Sequence, residues 1–260
     1  MRALRATVRE MGAAPDKLAL RIDDIGASSK HHLYYAKRWY LNFGPLRDRR
    51  LFGHWAPYRE MTAADWHQIY KILERFSAVL TVAITAAWAE DDGALVPFPD
   101  KFPDEAAALG EGLARGLLEI ANHGLTHCVL DDGKYRRRPM YGTNRPFHRE
   151  FWDYVPAEQQ LDHLRRAQDI LTGYFRTRIT TLVPPGNVYA VQTLEACRAL
   201  GLTTVNCERP QIALGESPKV IGDDHVIAFH DREMVVFGPR WLEAKLLALP
   251  RPPQKFIRDL

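Results

Sequence analysis

Cysteine is scarce in this sequence: three residues in 260, Cys128, Cys197 and Cys207. An odd, sparse set excludes a disulfide framework and fits a reducing compartment, so a cytoplasmic location is the expectation. Long hydrophobic runs are also lacking. The longest, SAVLTVAITAAWA, is too short to span a bilayer and suits a buried strand. The opening MRALRATVREMGAAPD has no apolar core of signal-peptide length. Charge of one sign barely exceeds the other, 35 basic against 32 acidic residues for a net +3. Such a balance gives no reason to expect nucleic acid as a partner, and it is compatible with an anionic substrate such as a phosphate-linked sugar. With no internal repeat, low-complexity stretch or linker, the chain reads as one domain over residues 1–260, large enough for a sizeable core.

What is there is an alternation of short apolar runs with helical patterns. Leu18 to Asp23 reads as a strand. Residues 62–76 read as a helix, with a capping box from Thr62 and Asp65 and with Trp66, Ile69, Leu73 and Phe76 at helical spacing. Ala78 to Thr85 is a β-branched, buried strand; 104–115 is a helix stopped by Gly116; Leu117 to Asn122 is a further strand. Helices are expected over 157–174, 189–200 and 239–248, with strands at TTLV, LTTVNC and HVIAFH. Strand–helix alternation predicts an α/β fold with a mainly parallel sheet and outer helices. Active sites in such folds gather at the carboxyl ends of the strands.

The polar residues at those ends are therefore the candidates. Asp23 and Asp24 follow the first strand, His123 and His127 the third, Pro184 to Asn187 the fourth, and His230 and Asp231 the last. An Asp-Asp pair alone says little, because the chain has four; position selects the first. Adjacent strand residues point to opposite sides, so a bend must bring both carboxylates to one place. Histidines four apart share a face on a helical turn, close enough for one metal. Two imidazoles and one carboxylate leave a coordination position open for water. His230 closes a very apolar strand and suits proton transfer near neutral pH. The PPGN turn, fixed by two prolines and loosened at Gly186, can aim backbone N–H groups at an oxyanion.

In this order the motifs resemble those of the polysaccharide deacetylase, or NodB-homology, family (carbohydrate esterase family 4). LRIDDIG is similar to its TFDDG, GLLEIANHGLTH to its EIGNHTxSH, LVPPGN to its FRPPYG and VIAFHD to its ILLLHD. The resemblance runs from about residue 18 to 231. It implies a distorted (β/α) barrel of about seven parallel strands and a divalent metal, zinc foremost, with cobalt, nickel, manganese or iron(II) as alternatives. Asp24, His123 and His127 would bind the metal, Asp23 would be the general base and His230 the general acid. The expected reaction removes an N-acetyl or N-formyl group from an amino sugar or sugar conjugate, nucleotide- or lipid-linked, with metal-activated water as nucleophile. Arg21, Pro185, Gly186 and Asn187 complete the set as substrate or oxyanion residues.

The sequence also departs from the family. Its motif arginine, which normally orients the base, falls on Val183; its tyrosine falls on Gly186; its aspartate–tryptophan motif has no counterpart between the last two strands. Arg21, two residues before Asp23, stands where alternation along a strand would let it replace the arginine. These departures point to a divergent branch serving surface-polysaccharide biosynthesis. Three rivals accompany this reading: a non-catalytic carbohydrate-binding barrel, a non-haem iron oxygenase with the same two-His-one-carboxylate triad, and a related C–N hydrolase acting on a non-sugar amide. The stretch 128–155, basic at Lys134 and Arg136 to Arg138 and aromatic at Tyr135, Tyr141, Phe147, Phe151 and Trp152, reads as a substrate lid. His31, His32 and His54 read as surface or supporting residues. The C-terminal WLEAKLLALPRPPQKFIRDL is expected to pack on its own domain, with contact to a membrane surface left open.

Overall fold

The computed structural model of the chain describes residues 17–35, 53–128, 149–210 and 212–260. Eleven strands occur among them, in chain order β1 (Ala19–Ile25), β2 (His31–Tyr35), β3 (Gly53–Pro57), β4 (Leu80–Ile84), β5 (Ala87–Ala89), β6 (Leu95–Pro97), β7 (Leu118–Asn122), β8 (Thr181–Leu182), β9 (Thr204–Asn206), β10 (Lys219–Ile221) and β11 (Val226–His230). Seven form one sheet in the order β10-β9-β8-β7-β4-β1-β11, every pairing parallel. Two antiparallel hairpins, β2–β3 and β5–β6, stand apart from it. The sheet curls into a partly closed barrel. Arg21 on β1 reaches Asn206 on β9, four places away in the strand order. This is the expected distorted (β/α) barrel of seven parallel strands.

Local chemistry sets the elements. The helix Ala63–Phe76 begins at the Thr62–Asp65 capping box and buries Trp66, Ile69 and Leu73 against the sheet. The helix Pro103–Ala114 gives way at Gly116, whose φ of 71° suits glycine. Ala157–Phe175 buries Leu164 and Leu171, and Val191–Ala199 buries Leu194 and Cys197. Two short helices, Phe98–Lys101 and Asp231–Phe237, were not expected, whereas Arg240–Leu247 falls within the expected 239–248. Small residues fill the barrel beneath its carboxyl mouth, where Ala83, Ala121 and Val183 pack together with no exposure.

The C-terminal segment packs on its own domain, as expected. Lys255 N–H donates to the Leu18 carbonyl and the Pro253 carbonyl accepts from Val79 N–H, at the amino end of the sheet. Ile257 is fully buried there, and its N–H donates to Thr81. Thr81 and Thr181 in turn donate to the buried Glu119 carboxylate at 2.6 Å each. Among the described residues no helix is long and apolar enough to cross a membrane.

Candidate active site

The carboxyl edge of the sheet carries the polar residues singled out above. A bulge at the end of β1 places the first two. Ile22 pairs with Val82 and Ile25 with Ile84, so one extra residue is accommodated between them, and Asp24 takes a left-handed φ of 69°. That kink breaks the alternation, and both carboxylates reach the same cleft. Asp23 lies directly opposite His230 in the β1–β11 ladder, and both side chains line the cleft.

The two histidines converge on Asp24 by a different route from the helical turn that their spacing implies. Residues 123–128 form a tight loop after β7, with Gly124 at φ 80° and His127 at φ 57°. Glu150, itself fully buried, shapes this loop. Its carboxylate accepts from the N–H groups of Leu125 (3.0 Å), Thr126 (3.4 Å) and His127 (3.1 Å), and from His163 Nδ1 at 2.5 Å. Successive amides that face one anion bend the chain around it, so an i, i+4 pair meets without a helix. A Cβ at Gly124 would strike the Glu150 carboxylate, so the position admits only glycine.

The resulting triad is compact. The Nε2 atoms of His123 and His127 each lie 3.3 Å from Asp24 Oδ1, their rings 5.2 Å apart, and one donor atom from each of the three residues lies within 4.8 Å of the others. His123 Nδ1 is 2.6 Å from the Val183 carbonyl, which leaves Nε2 facing Asp24. Burial acts to raise the Asp24 carboxyl, but the charge of His230 and the hydrogen bonds from both histidines outweigh it and hold it well below the usual range. Burial would lower His127; hydrogen bonding and charge from Asp24 raise it instead.

Asp23 has its own partner. Arg21 Nε and Nη2 donate to its two oxygens at 2.9 and 3.0 Å, a bidentate pair made possible by alternation along β1. The same guanidinium donates to Asn206 and, at 2.9 Å, to Asp223. Arg21 is 1% exposed and stands behind Asp23, where it takes the orienting position that alternation along the strand suggests, and it lines an adjoining cavity with Asp23, Asn187, Glu208 and His230. Val183, where the family has arginine, packs its side chain on Ala83 and Ala121 and offers the site only its carbonyl.

His230 is 36% exposed, with Nε2 4.0 Å from Asp24 Oδ2. Its Nδ1 meets Arg232 at 3.4 Å and Glu233 at 3.9 Å, from the helix Asp231–Phe237. The next residue, Asp231, is fully buried. It accepts from Lys30 and from Tyr58 (2.9 Å), while Lys30 also pairs with Glu60 at 2.7 Å. Burial, opposed by Lys30 and reinforced by Glu60, pushes the Asp231 carboxyl up to about 7. Gly186 and Asn187 both take left-handed conformations, φ 67° and 55°, and line the cleft with Pro184, whereas Pro185 is buried beneath them and does not. The cleft is about 280 Å³ and is also lined by Arg149 and Glu208.

Sequence reasoning missed Glu150, Asn206, Asp223, Lys30 and Arg149. Asn206 ends a strand and was open to the same positional rule; Asp223 was hidden among the four Asp-Asp pairs. Cys128, beside His127, is buried, its thiol pushed up to about 12 by burial, and it does not line the cleft. Of the expected lid, Lys134, Tyr135, Arg136 to Arg138, Tyr141, Phe147 and His148 lie outside the described residues, as do the side chains of His32 and His54.

Seven parallel strands in one curled sheet, with this constellation at the carboxyl mouth, make the chain a (β/α)-barrel protein with a candidate three-ligand metal centre. The family model described as "Polysaccharide deacetylase" matches residues 57–205, more than half of the sequence, and the chain belongs to that family. The match includes His123, His127 and the PPGN turn; Asp23, Asp24 and His230 lie outside it and join the site through the fold. Similar solved structures include a CE4-family pseudoenzyme from Bacillus anthracis, 10% identical, with 92% of this chain and 64% of that one covered and a TM-score of 0.47. The BpsB deacetylase domain from Bordetella bronchiseptica is 15% identical over 83% of this chain and 98% of that one, TM-score 0.45. IcaB from Ammonifex degensii is 16% identical over 66% and 65%, TM-score 0.39. No curated protein matches the sequence.

Proposed function

We propose that the protein is a metal-dependent deacetylase that hydrolyses the N-acyl group, acetyl or formyl, of an amino sugar or sugar conjugate. The observation that carries this reading is the convergence of Asp24, His123 and His127 within 4.8 Å, in one cleft with Asp23 and His230. The donor set fits a divalent cation, zinc foremost: two imidazole nitrogens and one carboxylate oxygen, with His123 oriented through its other nitrogen by a backbone carbonyl. A cation held there supplies a Lewis acid that activates water and polarises the acyl carbonyl.

The chain's own residues divide the proton work. Asp23 accepts the proton of the attacking water. Arg21 holds the carboxylate by one lone pair on each oxygen and leaves the others for that water. His230, open to solvent at the facing position, delivers a proton to the departing amine, which is a poor leaving group until protonated. In the left-handed turn that lines the cleft the Asn187 N–H is already donated to the Pro184 carbonyl, so the Gly186 N–H is the donor assigned to the acyl oxygen as it gathers charge.

The test is metal content with acetate or formate release from a panel of acylated sugars. Asp24→Ala is expected to lose bound metal by elemental analysis. His230→Ala is expected to keep the metal and lose turnover by roughly 10²–10⁴-fold. Full metal stoichiometry in the first variant, or near-normal turnover in the second, would reject the assignment.

A further inference from the structure

We infer that Arg149 is an anion-binding residue of the cleft, and that the substrate carries a phosphate or carboxylate group near its acylamino group. The inference rests on the deacetylase reading and adds the charge class of the sugar.

Arg149 lines the same cleft as the triad. Its position is built rather than incidental. The next residue is Glu150, the fully buried carboxylate that gathers three backbone amides of the histidine loop and His163. One carboxylate therefore fixes both the metal-binding loop and the backbone from which Arg149 projects. The guanidinium carbon sits 4.1 Å over the Trp152 ring. Stacking of this kind holds the flat face of the guanidinium and leaves its N–H edge free to form two parallel hydrogen bonds.

The other charges at the cleft are already matched. Asp23 is gripped by Arg21, Asp24 is faced by two imidazoles and His230, and Glu208 lies 3.7 Å from Arg209. Arg149 has no carboxylate within ion-pair reach among the described residues. A cationic fork, oriented by an aromatic ring and with no anionic partner among the described residues, beside a centre that takes an acylated amine, recognises an anion on the same ligand. A phosphate ester and a sugar carboxylate present the same planar pair of oxygens to it.

Calorimetric binding to the 260-residue chain separates these sources and does not require turnover. The probes are N-acetylglucosamine 1-phosphate, N-acetylmuramate and the neutral methyl N-acetylglucosaminide, each titrated into wild type, Arg149→Lys and Arg149→Gln. The expected result is that at least one anionic probe binds about ten-fold or more tightly than the neutral one, as a paired charge-assisted contact allows. That preference is lost in Arg149→Gln and kept in part by Arg149→Lys, while the neutral probe is unaffected. The stronger anionic probe identifies the source as phosphate or carboxylate. Equal affinities for charged and neutral probes, an undiminished preference in Arg149→Gln, or no binding of any probe would overturn the inference. Acyl release followed in parallel keeps the two readings apart. Charge preference without release counts against the hydrolase, and release indifferent to charge and to Arg149 counts against the anion site alone.

Discussion

The guanidinium of Arg21 grips both oxygens of Asp23, the contact expected of the arginine that the resemblance places at Val183. Val183 fills a barrel interior otherwise made of Ala83 and Ala121, and the charge has moved to β1, where alternation points it at Asp23. A buried guanidinium between two carboxylates is favourable only while all partners remain, since each lost partner leaves an uncompensated charge. Arg21→Met is therefore expected to destabilise the fold by about 3–5 kcal/mol, read by urea unfolding, and to cut turnover while leaving metal content intact. Arg21→Lys keeps the charge without the fork and should fall between. Wild-type turnover in Arg21→Met would show that Asp23 needs no such support. The sequence made Asp23, Asp24, His123, His127 and His230 legible because each follows an apolar run, and strand ends are where this fold does chemistry. Glu150, Asn206 and Asp223 were not legible, since their meaning lies in a partner far along the chain.

At the scale of elements, the loop after β7 carries the most consequence. Histidines four apart imply a helical turn, yet the turn here is folded around the Glu150 carboxylate, with Gly124 and His127 both left-handed. Periodicity reads regular helices well, as in Ala63–Phe76 and Ala157–Phe175, where the buried residues recur along one face. It reads poorly the three-residue strands β5 and β6 and the seven-residue helix Asp231–Phe237, which are too short to show a period. Because a Cβ at position 124 meets the carboxylate that shapes the loop, Gly124→Ala should displace His127 and weaken metal binding at least about ten-fold, with added strain from the left-handed backbone. Titration with zinc under competition from a chelator reads this directly. An unchanged affinity would mean that Glu150 does not set the loop.

At the scale of the molecule, strand–helix alternation foretold the parallel sheet and the family resemblance its count of about seven strands, but neither gave the strand order or the degree of curl. The curl matters, because it brings β1 opposite β9 and lets one arginine tie together Asp23, Asn206 and Asp223 from distant parts of the sheet. The C-terminal segment secures the opposite end, with Ile257 buried over Thr81 and Glu119. The candidate site thus lies at the carboxyl mouth while the amino end is closed by the chain's own tail. Soaking crystals of the protein in zinc and measuring anomalous scattering at the zinc edge tests the whole account most directly. One strong peak bonded to Asp24, His123 and His127 is the predicted result. A peak elsewhere, or none at these three residues with the ion in excess, would contradict it.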